Sequence, residues 1–255
     1  MKLAKEARKN YNLIAKSYHE ARTNPKTNGW FYNEYLEMPT TLKLLGNVKG
    51  KKVLDMGCGT GLYARILKKK GANIKGIDIS EEMIKIAREE SPDIEFKIGN
   101  INKLPYKDEE FDIVLAALVM EYFSSWSMVL KEVRRVLKDN GLFVFSTGNP
   151  VINATHRINY KGKKFREIRD YFKEGIKCSK WYMGRCSTDN RIIKMEWHHR
   201  TYGTIVKLLV KHGFEMIDYE DAKPIKEAKK LFPEDYKKYI NMPYFCTWKA
   251  RKKKF

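Results

Sequence analysis

No stretch of this 255-residue chain reaches the roughly 18 consecutive apolar residues of a membrane-spanning helix, and Met1-Lys2-Leu3-Ala4-Lys5-Glu6 lacks the apolar region of a secretory signal. A cytoplasmic location with no membrane partner is expected. Cysteine is scarce as well: Cys58, Cys178, Cys186 and Cys246 show no Cys-x-x-Cys spacing and no matching histidine pair. That pattern excludes a disulfide framework and a zinc site, so no metal is expected. Cys58 reads as a small residue in a tight loop, and a redox pairing of Cys178 with Cys186 is the remaining alternative.

A third absence is more instructive. Val53-Leu54-Asp55-Met56-Gly57-Cys58-Gly59-Thr60-Gly61 is a short apolar run closing on an acid, followed by three glycines at alternate positions. Such a segment predicts a buried strand turning sharply into a helix, with bare backbone left facing a ligand. The dinucleotide fingerprint Gly-x-Gly-x-x-Gly nevertheless fails, because Leu62 stands where its third glycine belongs. After a helix-like stretch, Leu62 to Lys70, the run Asn73-Ile74-Lys75-Gly76-Ile77-Asp78-Ile79 closes on a second acid. An acid about 20 residues beyond the glycines of a β-α-β unit can accept both hydroxyls of a ribose. Asp78 is the expected ribose ligand, while Asp55 would repel a pyrophosphate and suit a cation. A positively charged nucleoside, S-adenosylmethionine, satisfies both acids.

The chain resembles the class I S-adenosylmethionine-dependent methyltransferases, particularly the methyltransferase type 11, ubiquinone-methyltransferase-like branch. Val53 to Gly61 is similar to the first motif of that family, and Gly76-Ile77-Asp78-Ile79-Ser80-Glu81-Glu82-Met83 to its second. The resemblance implies that Ile79 and Met83 sandwich the adenine. Gly99-Asn100-Ile101-Asn102-Lys103-Leu104-Pro105-Tyr106 matches the third motif, with Asn100 replacing the usual aspartate; its amide oxygen can still accept from an adenine amino group. Phe111 to Leu118 matches the fourth, a strand whose end, at Ala117, faces the cofactor, and Lys131 to Gly141 matches the helix and turn before the fifth strand. The resemblance implies a cofactor site of Tyr18, Asp55, Gly57, Cys58, Gly59, Gly61, Asp78, Ile79, Met83, Asn100, Ile101 and Ala117.

The implied fold is α/β, a Rossmann-like, seven-stranded, mostly parallel sheet with helices on both faces, an antiparallel last strand and a cap insertion. One domain is expected over 1–255: an N-terminal helical lid (1–46), a cofactor-binding core (47–147), a substrate cap (148–199) and the C-terminal part of the sheet (200–255). Leu142 to Thr147 reads as the fifth strand, and Phe214 to Tyr219 and Tyr244 to Ala250 as the last two. In the lid, Tyr11, Ile14, Ala15 and Tyr18 recur at helical spacing, with a break near Asn24-Pro25. In the family, a tyrosine at the place of Tyr18 reaches the methionine carboxylate.

The net charge of +20 is unevenly spread. Residues 53–150 carry 14 basic and 15 acidic side chains, whereas residues 151–255 carry 26 and 12. The excess lies where lid and cap are expected, which favours an anionic small molecule or an RNA; the alternative is a compositional bias that only solvates the surface. The cap is long for a connection and rich in aromatic and basic residues: Tyr160, Phe165, Arg166, Arg169, Tyr171, Phe172, Lys180, Trp181, Tyr182, Arg185 and Trp197. These can shape a small-molecule pocket or stack RNA bases.

Three functions follow: methyl transfer to a small molecule, methyl transfer to RNA, or a non-catalytic module that binds S-adenosylmethionine. For catalysis the sequence offers His156, His198 and His199 as bases, with His199-Arg200-Thr201 similar to a pocket-facing segment of the branch. Glu121 and Tyr122 follow the fourth motif, where the reacting methyl group would lie. The expected catalytic set is His199, Glu121 and Tyr122.

Overall fold

A computed structural model describes residues 2–182 and 191–254. Cys186 and Arg185 lie outside the described residues, and with them any pairing of Cys178 with Cys186.

The centre of the molecule is one seven-stranded sheet. Its strands are β1 (Lys52–Met56), β2 (Asn73–Asp78), β3 (Glu95–Ile98), β4 (Phe111–Ala117), β5 (Leu137–Gly148), and, after two hairpins, β10 (Phe214–Asp221) and β11 (Phe245–Lys252). The order across the sheet is β10-β11-β5-β4-β1-β2-β3, with β11 antiparallel to both of its neighbours and the other pairs parallel. The middle strands are largely apolar because both faces are covered, so a period of two sorts side chains between two cores instead of between core and water. Leu54, Met56, Val114, Ala116, Phe143 and Phe145 point into one core, packed with Val129, Leu130 and Val133 of the helix Ser127–Val136. Val53, Ile113, Leu115 and Val144 point into the other, against Leu44 and Leu45 of Met38–Leu45 and Ala64 and Leu67 of Leu62–Lys69.

From Lys2 to Leu45 the chain is mostly helical, with a break after Thr23. The helix Lys2–Thr23 is followed by a π-helical turn, Phe31–Glu37, and the helix Met38–Leu45. The first helix is pinned at its side: Arg8 and Asn12 bond Glu81, and Asn12 Oδ1 accepts from Ser80 Oγ at 2.5 Å, where Ser80 caps the helix Glu81–Glu90. On its other flank, Asn10 Nδ2 donates to Lys194 O at 2.9 Å.

The segment expected as a cap contains two antiparallel hairpins, β6 (Thr155–Tyr160) with β7 (Lys163–Ile168) and β8 (Gly175–Tyr182) with β9 (Ile192–His199). The second packs on the body through Ile193 and Met195. The first hairpin and the following turn expose Tyr160, Phe165, Ile168 and Phe172. Among the described residues no helix is long and apolar enough to cross a membrane.

Glycine at the strand-to-helix turn has a packing role. Gly61 adopts φ +77°, and a Cβ there would stand 2.9 Å from Phe96 Cζ and 3.3 Å from Ala87 Cβ. Gly162 has a similar φ of +76° but nothing within 4 Å. Left-handed strain alone costs roughly 1–2 kcal/mol and overpacking adds about 1–3. Gly61→Ala is therefore expected to lower the unfolding free energy by about 3 kcal/mol and Gly162→Ala by about 1, read from urea midpoints; equal losses would show that Phe96 yields.

Candidate functional site

The carboxyl ends of β1, β2 and β4 face a cavity covered by the first helix. Its floor is the turn from Asp55 to Leu62. Gly57 and Cys58 both donate their N–H to Ile77 O, at 2.8 and 3.1 Å, which locks the turn onto β2. Gly59 N donates to Asp78 Oδ2 and Ser80 N to Asp78 Oδ1, both at 2.9 Å. The Asp78 carboxylate is thus fixed by backbone, with further lone pairs left on each oxygen.

The three glycines divide their tasks. Only at Gly59, φ +53°, does the missing Cβ leave open space, and this is the glycine where a ligand can lie on the main chain. A Cβ on Gly57 would meet Val119 Cγ2 at 2.5 Å, and one on Gly61 would meet Phe96. Gly61, expected in the cofactor site, does not line the cavity; sequence spacing alone could not separate a glycine kept for a ligand from one kept for an aromatic ring.

Asp55 is the electrostatic centre. It is 1% exposed, and its Oδ2 has no hydrogen-bond partner. Burial first, then the neighbouring Asp78, raises its pKa to about 7; the Ala64 N–H partly offsets this and Glu37 adds to it. Glu37 is itself buried, accepting from Tyr63 Oη at 2.9 Å and Thr41 Oγ1 at 2.8 Å. A buried acceptor without a donor is costly. A cationic ligand would relieve it.

The expected set, apart from Gly61, converges here: Tyr18, Asp55, Gly57, Cys58, Gly59, Asp78, Ile79, Met83, Asn100, Ile101 and Ala117 all line the cavity. The Asn100 Oδ1 already accepts from Asn102 N at 3.0 Å, leaving one lone pair and the amide donors for a ligand. Ala4, Ala7 and Arg22 also line it, and sequence reasoning missed them. Arg22 sits one turn after Tyr18, and that i, i+4 spacing was the available signal. Its Nη1 donates to Tyr18 Oη at 2.9 Å, while its Nε is buried without a partner.

A second cavity adjoins the first through a shared wall of Tyr11, Tyr18, Arg22, Leu118 and Tyr122. Tyr11 joins the three tyrosines: its ring meets those of Tyr18 and Tyr122 edge-on at 5.5 and 5.7 Å, and its Oη lies 2.8 Å from Tyr122 Oη. Glu121 lines the second cavity, its Oε2 accepting from Gly148 N at 3.0 Å, and burial raises its pKa to about 7. Trp181 and Trp197 close this cavity from β8 and β9. Tyr160, Phe165 and Phe172, grouped with them in the sequence reading, line neither cavity.

The structure corrects the place of His199. Its ring is fully buried, lines neither cavity, and holds Tyr171 O through Nε2 at 2.8 Å. The next residue, Arg200, donates to Phe123 O and Ser124 O at 2.6 and 2.8 Å and lies over the Trp126 ring, while Thr201 caps the helix Tyr202–Lys211. His199-Arg200-Thr201 is a clasp that anchors the end of β9, so packing rather than chemistry explains it. His198 and His156 line neither cavity either.

Residues 54–145 match a family model described as a methyltransferase domain. The chain is 27% identical to an S-adenosylmethionine-dependent methyltransferase of Mesorhizobium loti, with a TM-score of 0.70 over 84% of this chain and 97% of that one. It is 27% identical over 253 residues, 92% of each chain, to an uncharacterized protein of Haemophilus influenzae. It is 40% identical to the demethylmenaquinone methyltransferase of Thermotoga maritima over 105 residues, 40% of this chain and 46% of that enzyme. The motifs, the strand order and these likenesses agree: residues 54–145 carry a methyltransferase domain, and the chain is similar to S-adenosylmethionine-dependent methyltransferases over most of its length.

Proposed function

We propose that the first cavity holds S-adenosylmethionine and the second a small, anionic acceptor. The observation that carries this reading is the buried, unpartnered Asp55 Oδ2 beside an aromatic chamber that shares a wall with its cavity. In this reading Asp78 takes the ribose hydroxyls, Ile79 and Met83 flank the adenine with Asn100 and Ile101 at its edge, and Ala117 and the Gly57–Gly59 backbone leave room for the chain of the amino acid. Asp55 neutralises positive charge, and Tyr18 with Arg22 receives the carboxylate.

Bound S-adenosylmethionine supplies a methyl group already activated on a sulfonium. What remains for the protein is alignment, exclusion of water and, for a hydroxyl or ammonium nucleophile, removal of a proton. The Tyr11, Tyr18 and Tyr122 rings form the partition where the two ligands would meet. Glu121, on the acceptor side, replaces His199 as the group that takes the proton, and Tyr122 orients the acceptor. An RNA acceptor would use the same basic, aromatic segment as an open stacking platform; the position of Trp181 and Trp197 on the inner cavity supports the small molecule.

Two measurements test this assignment. A cation needs the ionised form of Asp55, whose carboxyl titrates near 7, so calorimetric affinity for S-adenosylmethionine should rise by up to tenfold per pH unit from 5.5 toward 7. Asp55→Asn should flatten that slope and weaken binding by about tenfold or more. A wild-type affinity independent of pH in this window overturns the role of Asp55. For Glu121, the carboxylate is the active form, so kcat/KM should fall as pH drops below about 7. Glu121→Gln should lose that limb together with roughly a hundredfold in turnover, leaving cofactor affinity within a factor of about two.

A further inference from the structure

The second cavity is built mainly from flat rings brought together from distant parts of the chain: Tyr32, Tyr122, Trp181, Trp197 and Tyr244. Tyr32 and Tyr244 stack at 5.7 Å with only 23° between their planes, and Trp181 meets the Tyr11 ring edge-on at 6.4 Å. Walls of this kind accommodate a planar ring by offset stacking and edge contacts, and gain less from a flexible alkyl chain, which must also lose its rotamer freedom.

The polar groups in the same cavity are unequal in sign. Arg22 and Lys180 are cationic, and Glu121 is the carboxylate among the lining residues. Two buried donors there have no acceptor, Arg22 Nε and Trp197 Nε1. Buried N–H groups left unpaired are costly, so a ligand that belongs in this cavity should bring acceptor oxygens to them. Among the described residues Glu121 accepts from the Gly148 N–H and has no cation beside it. It is placed to receive a proton.

Resting on the assignment of the two cavities above, we infer that the methyl acceptor is a planar aromatic compound carrying an acidic hydroxyl and an anionic substituent, a hydroxyaryl carboxylate in its simplest form. The substituent pairs with Arg22 and the Trp197 N–H, the ring lies between the aromatic walls, and the hydroxyl faces Glu121. In the reaction the phenolic oxygen gains the methyl carbon, its proton passes to the Glu121 carboxylate, and the electron pair of the broken carbon–sulfur bond stays on sulfur.

The test is a binding panel on the full chain saturated with S-adenosylhomocysteine, whose own affinity is measured first by calorimetry. The probes are 4-hydroxybenzoate, the aromatic cation tyramine and the aliphatic anion hexanoate, followed by tryptophan fluorescence. 4-Hydroxybenzoate should bind at least tenfold more tightly than the other two. Trp181→Ala should weaken it by more than tenfold while leaving S-adenosylhomocysteine affinity within threefold. Trp197→Phe, a milder change that keeps the ring and removes the N–H, should weaken it by about fivefold and serves if Trp181→Ala does not fold. Preference for tyramine or hexanoate, or no binding of any probe to the S-adenosylhomocysteine complex, overturns the aromatic acceptor and leaves the methyltransferase assignment standing. Failure of S-adenosylhomocysteine itself to bind overturns both.

Discussion

Everything around the first cavity depends on placing carboxylates where water cannot reach them. Asp55, buried, and Asp78, half-buried, stand at the carboxyl ends of neighbouring parallel strands, and Glu37 adds a second fully buried acid close by. Repulsion and desolvation on this scale would ordinarily select against such an arrangement. Asp78 is tolerated because two backbone N–H groups hold it, and Glu37 because two hydroxyls do. Asp55 alone keeps an oxygen without a donor. The turn, the glycines and the covering helix form a frame that keeps that oxygen buried against the cavity.

The covering helix links this frame to the second cavity. Its tyrosines and Arg22 face both cavities, so one element from the start of the chain lines each of them. Its attachment is divided between the Ser80–Glu81 helix start and the backbone of β9. Covering the first cavity and walling the second are consequently parts of one packing arrangement.

Much of the first cavity's lining was legible because its residues are local in sequence. Asp55, Gly57 and Gly59 lie within five consecutive residues, and Asp78, Ile79 and Met83 within six, so a strand-turn-helix reading places each group without knowledge of the rest of the fold. Gly61 shows the limit of that reading, since its ring neighbour Phe96 is 35 positions away. His199 shows it again. Its histidine-arginine-threonine context suggested a pocket, whereas its partner, the Tyr171 carbonyl, comes from a turn that no pattern in the chain announces.

By itself the sequence determined the cofactor chemistry and the sheet: apolar strand runs buried on both faces, glycines at alternate positions, and acids at strand ends are short-range features with short-range causes. Tertiary structure decided the second cavity. Arg22, Glu121, Trp181, Trp197 and Tyr244 are scattered over more than 220 positions and meet only when the first helix, the end of β4, the second hairpin and the entry to β11 pack together. No spacing rule links them, because their proximity is set by which faces of these elements bury apolar surface, and that is a property of the folded chain.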